Sequence, residues 1–221
     1  MKWLNYFLNF NIPFYIYKLN MNDSIIYSRN IKINQPMIIL YGMIYIIKNF
    51  HNHKKTTIAI LDAENILYIN HMKEKNCHYK IIAISKSFLM SFQWKNLINI
   101  NENLNHIIFK ELIKLYTRTN KKYEMMNIIM SHKYIKNRVI QLLLFCARDC
   151  GNINKTYVTI SHYISQNTIG LLSGSTRTTI NRILKKLTYN KYIEYSIDKK
   201  ITINIYYFYM PNIKKQSLNI K

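Results

Sequence analysis

Residues 22–92 alternate short apolar runs with polar clusters. SIIYS, PMIILYGMIYIIK, TTIAIL and YKIIAISKSFLM are rich in β-branched and aromatic residues, and KNFHNHKK and MKEKN separate two of the gaps between them. This rhythm predicts an antiparallel all-β domain. Gly42 is its only glycine, so the other turns rest on Asn, Asp, Lys and His. Near Asn101 the period changes. From Leu104 to Met130 there is no Pro or Gly, and Ile108, Leu112, Leu115, Met126 and Ile129 recur at 3–4 spacing, with Thr119 and Lys122 in the same stripe. Such a stripe either pairs two helices, its polar middle setting the register, or lays one helix on its own β-domain. A second helix follows, with Ile135, Val139, Leu142, Leu143 and Cys146 on one face. Asp149-Cys150-Gly151 ends it, with glycine at the expected stop.

Residues 158–205 carry the most informative pattern. YVTISHYIS reads as a strand leading into Ser165, a good N-cap for a short helix over 166–173. Gly174 breaks that helix, and Ser175 is the expected cap of a second one from 176 to about 189. Two short helices joined by a glycine-containing turn are what a helix-turn-helix requires, and Gly170 falls where the helices must approach closely. The second helix has two faces. Ile180, Ile183, Leu184 and Leu187 form a core stripe, and Arg177, Thr178, Asn181, Arg182 and Lys185 lie opposite. Those polar types suit base reading: guanidinium bonds a guanine edge in two places, an amide does so with adenine, and Thr bonds base or phosphate. A solvated amphipathic helix would account for the charges, but not for the glycine, the caps and the following hairpin together. That hairpin, YIEYSIDKKITINIYY, has a basic tip at Lys199 and Lys200, suited to a wing on phosphate.

Composition changes this picture little. The net charge of +22 favours an acidic partner. The excess is spread almost evenly along the chain, however, and the abundance of Ile, Asn, Lys and Tyr looks like translation of an AT-rich genome. Three cysteines without paired spacing, Cys77, Cys146 and Cys150, argue for a reducing compartment. Cys146 and Cys150 read as small buried hydrophobes. Cys77-His78 has no second ligand pair at zinc spacing, so no metal is expected. The ten acidic residues are scattered, which argues against a metal-dependent nuclease, and no catalytic residue is assigned. The N-terminus lacks the uninterrupted apolar core and cleavage site of a signal peptide. The longest apolar stretch, from Met37 to Ile47, is about half of a bilayer span. A soluble protein without a membrane partner is expected.

The run ISQNTIGLLSGSTRTTINRILKKL, residues 164–187, resembles the helix-turn-helix signature of the Crp/Fnr family of transcription regulators. STRTTINRIL, with CARDCG upstream and KKITI downstream, is most similar to the NtcA branch, the nitrogen regulators of cyanobacteria and red-algal plastids. YEMM at 123–126 and YGMIYI at 41–46 extend the likeness towards the N-terminus. The resemblance implies an α+β chain: a β-roll effector-type domain over 1–102, a dimerisation helix over 103–132, a winged helix over 133–210 and a basic tail over 211–221. It also implies a homodimer on a palindromic operator, acting on a bacterial-type RNA polymerase in a plastid stroma or bacterial cytoplasm. Arg177 and Arg182 carry over as base contacts. Gln166, Asn167, Thr176 and Thr179 carry over as phosphate contacts, beside Ser175, Thr178, Asn181 and Lys185 of the same segment.

The branch implies 2-oxoglutarate as effector, held by a Phe-Gly-Val-Leu turn and by one arginine each from roll and helix. Here the turn reads Leu67-Tyr68-Ile69-Asn70, the roll arginine aligns near Cys77, and the helix arginine aligns with Thr119, while Glu124 is kept. Tyr68, Ile69, Cys77, Thr119 and Glu124 are thus the expected remnant of the pocket. Lys80, Arg118 or Lys122 are the cations left to replace the clamp, and Lys does not reproduce a bidentate one. No firm cofactor is expected. A regulator of the same family that senses haem or another small ligand through Cys77 and His78 is the alternative.

Overall fold

A computed structural model describes residues 2–27, 35–69, 77–98, 102–154 and 156–204. Asn70 and the tail expected at 211–221 lie outside them. The chain divides into two units, Met1–Ile128 and Ile129–Lys221.

The first unit opens with a helix that the reading of the N-terminus did not contain, α1 (Lys2–Asn9), which buries Trp3 and Phe7 one turn apart. Eight strands follow among the described residues: β1 (Phe14–Leu19), β2 (Ser24–Tyr27), β3 (Met37–Tyr41), β4 (Met43–Phe50), β5 (Lys55–Asp62), β6 (Ile66–Leu67), β7 (Cys77–Ala83) and β8 (Ser87–Phe92). They build two four-stranded antiparallel sheets, β1-β8-β3-β6 and β2-β7-β4-β5. The four apolar runs become β2, the β3–β4 pair, β5 and the β7–β8 pair. Gly42 joins β3 to β4 with φ +91°, and a Cβ there would collide with Ser87 and the Lys86 carbonyl.

One core contains Leu19, Tyr27, Ile39, Ile44, Leu61, Ile81 and Leu89, drawn from both sheets. The first sheet is covered on its other side as well. There Ile38 and Met90 pack with Trp3, Phe7 and Leu97, the last from α2 (Trp94–Ile98). Burial on both faces is why β3 reads as a continuous apolar run instead of an alternating one.

The long helix α3 (Glu102–Ser131) decides between the two readings of its stripe. Ile108, Leu112 and Leu115 sit in the same core as Trp3, Phe7 and Met90. Thr119 and Lys122 are buried too, Thr119 against β6 and Lys122 against the end of β5. From Ile108 to Lys122 the stripe therefore packs on its own β-domain, the second of the two readings. A polar middle that resembles a register device is in fact matched to polar groups of the 62–66 turn. Lys2 also bonds Glu111 of α3 at 2.6 Å, and Lys114 and Lys2 together hold the Glu111 carboxyl down at about 2.

The second unit contains α4 (Ile135–Cys150), β9 (Gly151–Asn154), β10 (Tyr157–Ile160), α5 (Gln166–Ser173), α6 (Arg177–Tyr189), β11 (Ile193–Tyr195) and β12 (Ile201–Asn204). Its strands form one antiparallel sheet ordered β11-β12-β10-β9. Val139, Leu142, Leu143 and Cys146 are buried on α4 as the period predicts, while Cys150 is only half-buried. Gly151 does not cap α4 in the left-handed conformation. At φ −95° and ψ 144° it is extended and starts β9. Glycine is needed there for space: a Cβ would run into the Ala147 carbonyl and Val158. No helix among the described residues is long and apolar enough to cross a membrane.

Candidate nucleic-acid interface

The segment from β10 to β12 is held by local chemistry at each joint. Ser165 is extended, and its Oγ accepts from the Thr168 N–H at 3.1 Å, capping α5. At the other end Gly174 adopts φ +64° and ψ 42°. Its N–H donates to the Leu171 carbonyl at 3.3 Å, and the Ser175 N–H donates to the Gly170 carbonyl at 2.8 Å, a Schellman closure. The second cap is Thr176, not Ser175: its Oγ1 accepts from the Thr179 N–H at 3.3 Å, so α6 starts one residue later than expected. Ser175 is already committed through its backbone to closing α5. Gly170 is buried, and a Cβ on it would stand 3.0 Å from the Ser175 carbonyl oxygen. Glycine at this position lets the turn close down on α5.

α6 presents the two faces read from its period. Ile180, Leu184 and Leu187 are buried and Ile183 is half-buried, while Arg177, Thr178, Arg182 and Lys185 are exposed. Asn181 and Thr179 lie half-buried at the margin. At about 100° per residue, Arg177 and Arg182 project about 140° apart around the axis, so they bracket the polar face. The Thr176, Thr178 and Thr179 hydroxyls cluster at the start of α6, with Thr176 Oγ1 2.9 Å and 3.0 Å from the other two.

The wing is a tight hairpin. β11 and β12 pair antiparallel; between them Ser196 N–H donates to the Lys200 carbonyl at 2.9 Å, and Lys199 takes φ +57°. Lys199 is exposed at the tip, and Lys200 lies 3.7 Å from Asp198. Charge is sorted locally even though it is even overall. Between Asp149 and Glu194 the chain has no carboxylate side chain and six Lys and Arg. That gap is written in the sequence, beneath an even spread of charge along the whole chain.

The residues expected to form an effector pocket have separate surroundings. Tyr68 is half-buried, edge-on to Trp94 at 6.4 Å between ring centres. Ile69 joins the core that both sheets share. Cys77 of β7 pairs with Phe50 of β4, and Glu124 is exposed. Thr119 is a structural hub: its Oγ1 accepts from the Ile66 N–H at 3.0 Å, and its hydroxyl donates to the Leu115 carbonyl at 2.8 Å. Two of the cations considered as replacements are already engaged. Lys122, with 7% of its surface exposed, is 3.1 Å from Asp62. Arg118 reaches Asp62 at 3.4 Å and Glu64 at 2.9 Å. Asn65 also donates to Asp62. His78 faces Asn49 at 3.0 Å, and no group of three or more metal-ligating side chains occurs among the described residues.

Comparison with known proteins agrees with this geometry. A family model described as a Crp-like helix-turn-helix domain matches residues 137–205. The protein named ycf28 in Porphyra purpurea, which that name places among HTH-type transcriptional regulators, is 30% identical over 201 residues, covering 91% of this chain and 82% of its own. The global nitrogen regulator of Nostoc sp. is 24% identical over 172 residues, covering 75% of each chain. Among solved structures, a cyclic nucleotide-binding domain containing protein from Listeria monocytogenes superposes with a TM-score of 0.68 at 18% identity, over 92% of this chain and 96% of that one.

Proposed function

Since this chain belongs to the Crp/Fnr family of DNA-binding transcription regulators, we propose that it reads a palindromic operator as a homodimer and does so without a bound effector. One observation carries the DNA-binding half of the proposal. The carboxylate-free segment between Asp149 and Glu194 folds into two capped helices in which Arg182, Lys185 and Thr178 stand exposed on the second. In this reading Arg177 and Arg182 take guanine edges, and Asn181 and Lys185 complete the base-facing stripe. Gln166, Asn167, Ser175, Thr176 and Thr179 hold the backbone, where phosphate contacts set register without reading sequence. Lys199 in the wing adds a further phosphate contact.

The dimer seam in this proposal is the face of α3 opposite its buried stripe. Phe109, Ile113 and Ile128 lie there, 36%, 64% and 48% exposed. Thr117, Asn120 and Glu124 share that face at helical spacing and supply its polar middle. Family members act as dimers, and exposed apolar residues along one side of a long helix are what a second copy would cover.

Effector independence rests on the 62–66 turn. Asp62 and Glu64 satisfy Arg118 and Lys122, two of the three cations that could otherwise receive a dicarboxylate, and Thr119 stands where the branch carries its helix arginine. A ligand shifts an equilibrium only by its differential affinity for the two states, so a missing clamp removes the coupling. Titration of duplex DNA should give steeply salt-dependent binding, with the same affinity whether or not millimolar 2-oxoglutarate is present. Absence of DNA binding, or binding that requires 2-oxoglutarate, would overturn the proposal. We assign the protein to a plastid stroma, with a bacterial cytoplasm as the other setting, on its excess of Ile, Asn, Lys and Tyr, which looks like translation of an AT-rich genome. Its target polymerase is of the bacterial type. Nitrogen-related genes are the proposed targets, in line with the relatives named as global nitrogen regulators.

A further inference from the structure

A concavity of about 390 Å³ opens beside α6, and its rim comes from three separate stretches of chain. Tyr163 stands in the segment before α5, and Gln166 and Asn167 start that helix. Arg177 starts α6, and Tyr195 and Lys199 come from the wing. The floor is apolar, with Ile164 and Leu184 both buried. All six rim side chains carry hydrogen-bond donors, two of them cationic, and no carboxylate lines the space. Such a site selects an anion. Its position at the helix starts and under the wing sets it apart from the outward stripe of Arg182 and Lys185. A base edge is therefore the wrong occupant, and a group on the flank of the duplex is the right one. The apolar floor and the ring faces suit a deoxyribose joined to that anion.

We propose that this concavity seats one phosphodiester of the DNA backbone in each half-site, with the Tyr163 and Tyr195 hydroxyls donating to its oxygens. The inference rests on the DNA-binding reading above and adds two residues that reading does not contain. Tyr163 and Tyr195 are 43% and 45% exposed, so both stay open to an incoming duplex. Burial pushes the Tyr195 hydroxyl above its ordinary range, and a bond to Gln166 pulls it part of the way back, so it stays protonated and able to donate. Lys199 at the wing tip supplies charge to the same seat, and Arg177 forms the edge shared with the base-facing stripe.

The test uses full-length protein and a duplex that the wild type has enriched from a random pool. Single methylphosphonate substitutions, each neutralising one phosphate, are placed in turn along both strands. Wild type should lose about tenfold in affinity at the seated phosphate of each half-site, the effect of one hydrogen bond to a charged oxygen. A protein carrying both Tyr163→Phe and Tyr195→Phe should bind unmodified duplex at least about tenfold more weakly. Its penalty for methylphosphonate at that one position should shrink, with Lys199 still sensing the charge, while every other position keeps its wild-type penalty. Melting at the wild-type temperature would place the loss in the hydroxyls, since Phe keeps both rings. An identical methylphosphonate profile in wild type and variant overturns the seat while leaving DNA binding intact. A wild type that binds no duplex overturns both.

Discussion

Arg182→Ala and Arg177→Ala should each abolish most of the preference for operator over scrambled DNA. A bidentate arginine–guanine pair discriminates by about 1–3 kcal/mol. A dimer on a palindrome makes each contact twice, so the loss for one substitution is about 2–6 kcal/mol. Specificity should relax at a single base position per half-site, and a different one for each arginine, because the two side chains leave α6 about 140° apart. Lys199→Ala should behave differently, weakening all sequences alike and lowering the salt dependence. Binding curves on operator and scrambled duplex at two salt concentrations separate these outcomes. Equal, sequence-blind losses at all three positions would mean that α6 is a solvated helix and not the reader.

Ile113→Lys should convert the dimer to monomers without unfolding either unit. Ile113 is 64% exposed within one chain, so the substitution leaves the roll's core untouched. Across a two-fold seam it would place two ammonium groups where two aliphatic side chains pack, removing about 1.5–3 kcal/mol of burial on each side. Dimer dissociation should rise by at least about a hundredfold, and operator binding should fall with it. Leu112→Ala is the matched control. Leu112 is buried between α3 and the first sheet, so its truncation should cost about 2–5 kcal/mol of folding stability. Light scattering and thermal melting tell the two apart: Ile113→Lys should change mass and not melting, and Leu112→Ala should change melting first. If Leu112→Ala gave well-folded monomers, the seam would lie on the buried stripe after all.

The contrast at α3 shows where the sequence was legible and where it was not. The period placed the helix and named its apolar stripe, but a stripe does not say which surface covers it. Ile108 and Leu115 could equally have met a second copy until α1 and the first sheet were seen to supply Trp3, Phe7 and Met90. α1 itself was hidden because Asn interrupts an aromatic run that reads as neither a signal segment nor a strand. The helix-turn-helix was legible almost to the residue, since Ser165, Gly170 and Gly174 each answer a local backbone demand that no distant contact can alter. The cap at Thr176 was displaced by one because two consecutive hydroxyl residues satisfy the same pattern. Gly151 was read as a left-handed stop, and crowding by Ala147 and Val158 was the true constraint. Tyr163 and Tyr195 lie outside the helices, one ahead of α5 and one in the wing, so no periodicity of α6 points to them.

The central claim is that two copies of α6 read one palindrome. Selection of duplexes from a random pool by the purified protein, followed by sequencing, tests it most directly. Two inverted half-sites should be enriched, with centres about 10 base pairs, or about 34 Å, apart or a multiple of that spacing. Guanines within them should disappear from the selected set when Arg177→Ala or Arg182→Ala is used instead. Enrichment of no motif, or of an unpaired motif that survives both substitutions, would contradict it.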